Sequence, residues 1–255
     1  MPDLSKPHVA RIVDYWLGGS HHYSVDRKIA KAAEEELPSL PDFQRVHRAF
    51  LKRAYAYLVL AVGLDKFVDF GSGLPTQGNV HEIVLEFDPS AKVIYSDHDL
   101  EVVEYGQEIV GVTHPEQVRY VFCEAAHPEE VLESEMIKSF FGGERRVGIG
   151  FTNLPHLMSD EDVRSAFETL YEWAAPGSHM VVSFGTDAIR QYPRILEIEE
   201  RHGMERWWRS LDEMLSLLGS WQLTEHGVTY TRSWPKHSVP EDPLLLMSLG
   251  FLVRK

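Results

Sequence analysis

Five short runs of β-branched and aromatic residues, at 66–70, 92–96, 118–123, 147–151 and 179–184, recur along the middle of this 255-residue chain. Helical stretches of a dozen or so residues separate them, over 79–87, 100–110, 128–140 and 160–174. Strands that alternate with helices rejoin one sheet as parallel crossovers, so the pattern predicts an α/β fold: a mostly parallel sheet with helices on both faces. Five such units make a Rossmann-like domain. Two further strands, near 221–231 and 245–253, follow a helical region over 189–218 and bring the expected total to seven, with a late antiparallel pair at the sheet edge.

Before the first strand the pattern is helical. Ile12, Val13, Trp16 and Leu17 recur at helical spacing over 10–17, and the run stops at Gly18-Gly19, a C-cap pair. Further helices are expected over 25–36, ending ahead of Pro38, and over 43–62, ending at Gly63. Residues 1–64 thus read as a helical cap on a catalytic domain over 65–255, the two forming one compact unit.

Charge narrows the choice of partners. Lys plus Arg number 25 against 39 Asp plus Glu, a net charge of −14, and such a surface repels phosphate backbones. A small-molecule substrate is expected, with no nucleic acid and no membrane, and a homodimer is left open. The single cysteine, Cys123, cannot form an internal disulfide, which suits a reducing cytoplasm. The N-terminus shows no apolar signal segment and no apolar run is long enough to span a bilayer, so a cytoplasmic protein is expected. The 13 histidines show no metal-ligand spacing, and Ser72 and Ser183 lack the partners of a hydrolase triad.

In an open α/β sheet the ligand sits at the carboxyl ends of the strands, so the residues leaving each strand carry the functional reading. The first is followed by Asp69-Phe70-Gly71-Ser72-Gly73-Leu74-Pro75-Thr76. Gly71 and Gly73 let the backbone turn tightly beside a ligand, and a following helix can aim N–H groups at an anionic group. The second ends in Ser96-Asp97-His98-Asp99. Asp97 can accept both hydroxyls of a ribose, His98 can lie against an adenine face, and Asp99 suits the cap of the next helix. The third ends in Cys123-Glu124-Ala125-Ala126, where Glu124 can accept from an adenine amino group and the Ala125 N–H can donate to a ring nitrogen. A tight βα turn, an N-cap and a solvated loop acid are the plain alternatives at these three places; together they favour an adenosyl cofactor. The fourth ends in Phe151-Thr152-Asn153-Leu154-Pro155-His156. Asn153-Leu154-Pro155-His156 is similar to the Asn-Pro-Pro-aromatic loop of amino-group methyltransferases, in which an amide oxygen and a backbone carbonyl orient an amine toward the electrophile.

The N-terminal segment carries a second likeness. Ala10-Arg11-Ile12-Val13-Asp14-Tyr15-Trp16-Leu17-Gly18-Gly19, Asp26-Arg27 and Arg48-Ala49-Phe50-Leu51-Lys52-Arg53 resemble the opening of a bacterial, mainly actinobacterial, S-adenosyl methyltransferase family of largely unassigned substrate. The resemblance runs on through Phe67 to Thr76, Asn79 to Glu82 and Val93 to Asp99, and weakens past about residue 185. It implies the class I methyltransferase fold and S-adenosylmethionine as cofactor. It places Gly71, Gly73, Asp97 and Glu124 at the cofactor, and Tyr15, Gly18 and Gly19 in a cap over it; Asp69, Ser72, His98 and Ala125 at the strand ends, with Gly18 and Gly19, are further expected cofactor contacts. The chain departs from the family in carrying Glu124 for an Asp, His47 for an Asn, and the Asn-Leu-Pro-His loop. The last two point to a specialised acceptor or a changed reaction.

The expected activity is methyl transfer from S-adenosylmethionine to an amine or other heteroatom of a small molecule. Asn153 would position the nucleophile, with Tyr15 and Tyr23 near the sulfonium, since aromatic faces attract cations. Two alternatives stay open. One is a cyclase in which S-adenosylmethionine attacks itself and releases methylthioadenosine; the other is a non-catalytic cofactor-binding regulator. Whether an acceptor cavity remains beside the cofactor separates the first from methyl transfer.

Overall fold

The computed structural model describes residues 6–75, 78–201, 203–241 and 247–255; Thr76, Leu245 and Leu246 lie outside the described residues. Five parallel strands form at the β-branched runs: β1 (Lys66–Phe70), β2 (Lys92–Asp97), β3 (Val118–Phe122), β4 (Gly148–Thr152) and β5 (His179–Gly185). All but β3 are buried along most of their length, as helices over both faces require. The order is β3-β2-β1-β4-β5, and the last strand, β8 (Ser248–Arg254), runs antiparallel to β5.

The strand expected across 221–231 is interrupted. β6 (Gln222–Leu223) and β7 (Thr229–Tyr230) both pair antiparallel with β8. Leu223 faces Val253 while Thr229 faces Gly250, so more residues lie on this side than opposite. The excess loops out at Gly227, whose φ of 60° is a turn conformation that glycine adopts without penalty. The sheet therefore has eight strands among the described residues, rather than seven.

Three helices precede the sheet: α1 (Val9–Trp16), α2 (Ser24–Glu36) and α3 (Leu40–Tyr57), which continues as a π-helical turn, Leu58–Val62. Phe50, Leu51, Ala54, Tyr55 and Leu58 pack with Phe67 and Val93 in one buried cluster, so α3 lies directly on the sheet. Full burial of a side chain such as Phe50 stabilises by roughly 1.5–3 kcal/mol. Arg11, itself buried, ties α1 to its neighbours: Nε donates to Asp26 at 3.0 Å and Nη1 to Glu101 at 3.1 Å.

The remaining helices are α4 (Val80–Phe87), α5 (Leu100–Gly106), α6 (Glu129–Leu132), α7 (Glu135–Phe141), α8 (Asp160–Trp173), α9 (Pro193–Arg201) and α10 (Leu211–Ser216). The helix expected over 128–140 is two, because the Ser134 hydroxyl accepts from the Ile137 N–H and caps a new start. α4 starts at Val80 under an Asn79–Glu82 capping box, leaving Pro75 outside it. The helical region expected over 189–218 resolves into a short 3₁₀ turn, Asp187–Gln191, followed by α9 and α10 with non-helical chain over 203–210. Among the described residues no helix is long and apolar enough to cross a membrane.

Strand order reverses between β1 and β4. At such a point the loops leaving neighbouring strands diverge to opposite faces, and a crevice opens at the carboxyl ends.

Candidate active site

A cavity of about 450 Å³ fills that crevice. Its floor is built from the carboxyl ends of β1 (Asp69, Gly71, Ser72, Gly73), β2 (Asp97, His98) and β4 (Thr152, Asn153, Leu154). Val9, Ala10 and Val13 of α1, His47, Arg48 and Leu51 of α3, and Arg206 complete the wall.

The loop after β1 needs its glycines. Gly71 and Gly73 have φ of 62° and 65°, the left-handed region that residues with a Cβ rarely enter. A Cβ on Gly71 would also lie 2.8 Å from Leu154 Cδ1. Asp97 braces this loop: Oδ2 accepts from the Gly73 N–H at 2.9 Å, and Oδ1 from the Asp99 N–H at 3.0 Å. Asp99 caps α5 through the Glu101 N–H, as expected. Ser72 Oγ is buried and has no hydrogen-bond partner among the described residues. Native structures seldom leave such an atom without a ligand or water.

Asp69 lies buried at the end of β1, over Gly150, where a Cβ would come 1.9 Å from Asp69 Oδ1. The Tyr55 hydroxyl donates to it at 3.4 Å. Burial pushes the Asp69 carboxyl up to about 7; Arg48 opposes the shift and Asp97 adds to it.

A second cavity, of about 220 Å³, adjoins the first. The two share Val9, Val13, Gln44, Asn153, Leu157 and Arg206 in their walls. The second is mostly apolar, lined by α1 (Ile12, Trp16), α2 (Ile29, Ala33), α3 (Leu40, Phe43), α9 (Ile195, Ile198) and Trp208. Its polar side-chain groups are His156, Gln44, Asn153, the Trp208 indole N–H and a Glu199–Arg206 ion pair at 3.4 Å.

Asn153 stands where the cavities meet. Its φ of 53° makes it the one non-glycine residue among those described with a left-handed backbone, a strained conformation that Asn tolerates better than most residues. Its N–H donates to both the backbone oxygen (2.9 Å) and the hydroxyl (3.0 Å) of Ser183. The same hydroxyl meets His47 Nε2 at 2.8 Å. Burial first, then Arg48, holds His47 down at about 3, so the imidazole is neutral at physiological pH.

The expected site residues thus fall into two groups. Asp69, Gly71, Ser72, Gly73, Asp97, His98 and Asn153 meet in the first cavity. Tyr15, Tyr23, Gly18, Gly19, Glu124 and Ala125 line neither cavity. The inward stripe of α1 is Val9, Ile12, Val13 and Trp16, the helical one-face spacing, and Tyr15 falls off it with its ring edge against His22. Tyr23 lies under the Arg11 guanidinium and is 38% exposed. Gly18 and Gly19 turn the chain around buried Asp14, whose Oδ2 accepts from the His21 N–H at 2.8 Å. Glu124 is exposed beyond β3, one strand farther out than the cavity reaches.

Several lining residues carried no expectation. Arg48 lay inside the quoted Arg-Ala-Phe-Leu run without a role. Gln44, Glu199 and Arg206 reach the cavities from helices and loops far along the chain. Trp208 forms a wall of the second cavity. The one sequence signal was the Arg206-Trp207-Trp208-Arg209 run, dense in aromatic and cationic residues just after a helix. Arg209 is buried and holds the loop after β4 in place, donating to Met158 O at 2.6 Å and to Asp160 at 2.7 Å.

The sequence pattern of S-adenosyl methyltransferases matches residues 2–247. The chain belongs to this S-adenosyl methyltransferase family. A provisionally assigned methyltransferase from Thermobifida fusca is similar at 27% identity and TM-score 0.89, over 99% of this chain and 96% of that one. A DUF574 family protein from Streptomyces avermitilis shows the same identity and TM-score, over 99% of each chain. Human N-acetylserotonin methyltransferase, solved with S-adenosylmethionine, shares the fold at 14% identity and TM-score 0.51, over 94% of this chain and 62% of that one. No curated protein sequence matches this chain. The family's cofactor is S-adenosylmethionine, and the first cavity fits it on three counts. The glycine loop leaves room where a Cβ would intrude, Ser72 Oγ is buried and unpartnered among the described residues, and carboxylates and a guanidinium face one space.

Proposed function

We propose that the chain transfers the methyl group of S-adenosylmethionine to a heteroatom of a small molecule held in the second cavity. The supporting observation is the shared wall: a second, apolar space adjoins the cofactor cavity at Asn153. Self-cyclisation of the cofactor needs no such space.

In this reading Gly71 and Gly73 admit the cofactor close to the backbone, and the Ser72 hydroxyl bonds to it. Asp97 keeps lone pairs beyond its two backbone bonds and accepts from the ribose hydroxyls, with His98 beside the adenine. Arg48 pairs the carboxylate of the methionyl end and Asp69 its ammonium. When bound, S-adenosylmethionine supplies a methyl group already activated by its sulfonium. The protein's contribution is then positioning, which can supply about 7–11 kcal/mol of a barrier. Asn153, fixed through its backbone by Ser183, holds the nucleophile where the cavities meet.

The test is mass spectrometry of the purified protein, first with methyl-labelled S-adenosylmethionine alone and then with a metabolite extract. The reading expects the cofactor to survive alone. With extract it expects S-adenosylhomocysteine together with a labelled product. Accumulation of methylthioadenosine and a cyclic amino acid from the cofactor alone would replace methyl transfer with the cyclase reaction.

A further inference from the structure

The apolar cavity holds one polar side chain whose orientation is fixed from two directions. His156 lies parallel to Trp208, with ring centroids 5.0 Å apart and planes 8° apart. Trp208 in turn sits against β5 at Gly185, where a Cβ would come 2.4 Å from the indole. The Gly185 N–H donates to His156 Nδ1 at 3.3 Å. Burial, then Arg206 and Arg209, holds His156 at about 3, so the ring is neutral. An imidazole that is neutral and accepts at Nδ1 carries its proton on Nε2. That N–H has no protein acceptor among the described residues, and His156 forms part of the cavity wall. The ring therefore offers the cavity a donor and cannot serve it as a base.

The rest of the cavity restricts what can meet this donor. Its volume, about 220 Å³, exceeds that of the ~150 Å³ apolar cavity that takes up benzene. Its walls are branched aliphatic side chains and the rings of Trp16, Phe43 and Trp208. Glu199 and Arg206 face each other across 3.4 Å, so the wall carries no net charge for an ionised acceptor to match. His156 lines only the second cavity, whereas Asn153 lines both. The atom at His156 is therefore not the atom at the junction.

Resting on the methyltransferase reading above, we infer that the acceptor is a neutral compound of one or two rings with two separate polar atoms. One is the nucleophile at Asn153. The other is a hydrogen-bond acceptor, such as a ring carbonyl oxygen, read by His156 Nε2–H. His156 is thereby a specificity-determining residue.

The experiment compares 1-tetralone, which has a carbonyl acceptor, with tetralin, the same two rings without it. Each is titrated by tryptophan fluorescence with and without saturating S-adenosylhomocysteine, alongside decanoate as a charged chain. The inference expects 1-tetralone to bind about ten-fold more tightly than tetralin, the size of one net hydrogen bond, and decanoate more weakly than either. In H156F, which keeps a ring beside Trp208, the two bicyclic compounds should bind within about two-fold of each other. A long-range proton–nitrogen spectrum of the parent protein should show His156 protonated at Nε2, a readout that needs no variant. Equal binding of the two rings to the parent, tighter binding of decanoate, or a proton on Nδ1 each overturns the inference. Loss of S-adenosylhomocysteine binding itself would overturn the methyltransferase reading instead, whatever the tetralone result.

Discussion

His47 and Ser183, 136 residues apart in the chain, meet at 2.8 Å between Nε2 and Oγ, and the same hydroxyl accepts the Asn153 N–H. α3 is thereby joined through β5 to the loop after β4. Removing the hydroxyl leaves a buried imidazole nitrogen unpartnered and takes one of two bonds from Asn153. Ser183→Ala is expected to cost about 1–3 kcal/mol, read as a lower urea midpoint. Ser183→Thr, which keeps the oxygen, should recover part of the loss; if both variants match the parent, the bond is not structural.

Asn153 separates backbone from side chain. Asn153→Gly relieves a left-handed residue and should leave stability unchanged or slightly raised, whereas Asn153→Ala should lose about 1 kcal/mol. Both remove the amide that would hold the nucleophile, so methyl transfer should fall on the order of 100-fold while calorimetry shows unchanged cofactor affinity. A Gly variant that keeps full activity would take the positioning role from the side chain.

Asp69 gives a pH signature with a definite sign. Its folded value of about 7 lies above the ordinary 3.8, so the unfolded chain loses that proton first as pH rises. The empty protein therefore loses stability from about pH 4 to about pH 7, and above that the penalty is complete. Asp69→Asn should gain Tm relative to the parent across this window and then level off. The same variant should bind S-adenosylmethionine about ten- to hundred-fold more weakly at pH 8, the loss expected for a charged hydrogen bond.

Buried histidines act in the opposite direction. His47 and His156 sit at about 3 and His81 at about 4, all lowered first by burial. Below about pH 6.5 the unfolded chain takes up protons that the folded one refuses. Stability should then fall as pH drops, by up to about 1.4 kcal/mol per unit for each. Proton uptake on unfolding near pH 5.5, from the pH dependence of the urea midpoint, should be lower by about one in His47→Asn. No change would mean that His47 titrates normally in the fold.

Gly19 tests the N-terminal turn without touching either cavity. A Cβ there would lie 2.0 Å from Asp14 Oδ1, so Gly19→Ala must displace a buried carboxylate. A loss of about 1–3 kcal/mol is expected, seen as a lower Tm, with cofactor affinity per folded molecule close to that of the parent.

Much of the site's floor was legible in the sequence because it depends on neighbouring residues. Alternating β-branched runs and helices dictate parallel crossovers, and ligand sites in such sheets lie at strand ends, so Gly71, Gly73, Asp97 and Asn153 could be placed from position alone. Glu124, expected at the adenine by the same logic, lines neither cavity, because being at a strand end does not reveal how far across the sheet a cavity extends. Tyr15 and Tyr23, expected near the sulfonium because aromatic faces attract cations, line neither cavity, because that affinity does not reveal which way a ring points.

Local conformational preference and chain connectivity suffice for the order of elements, the crevice at the switch point and the glycine loop within it. That a second cavity exists, that Asn153 is its shared wall and that His156 lines it emerge only once the chain is packed in three dimensions. Each of those depends on contacts between residues tens to more than a hundred positions apart: His47 with Ser183, and His156 with Gly185 and Trp208. Such pairings arise from packing whole helices on a sheet, and no local pattern in the chain encodes them.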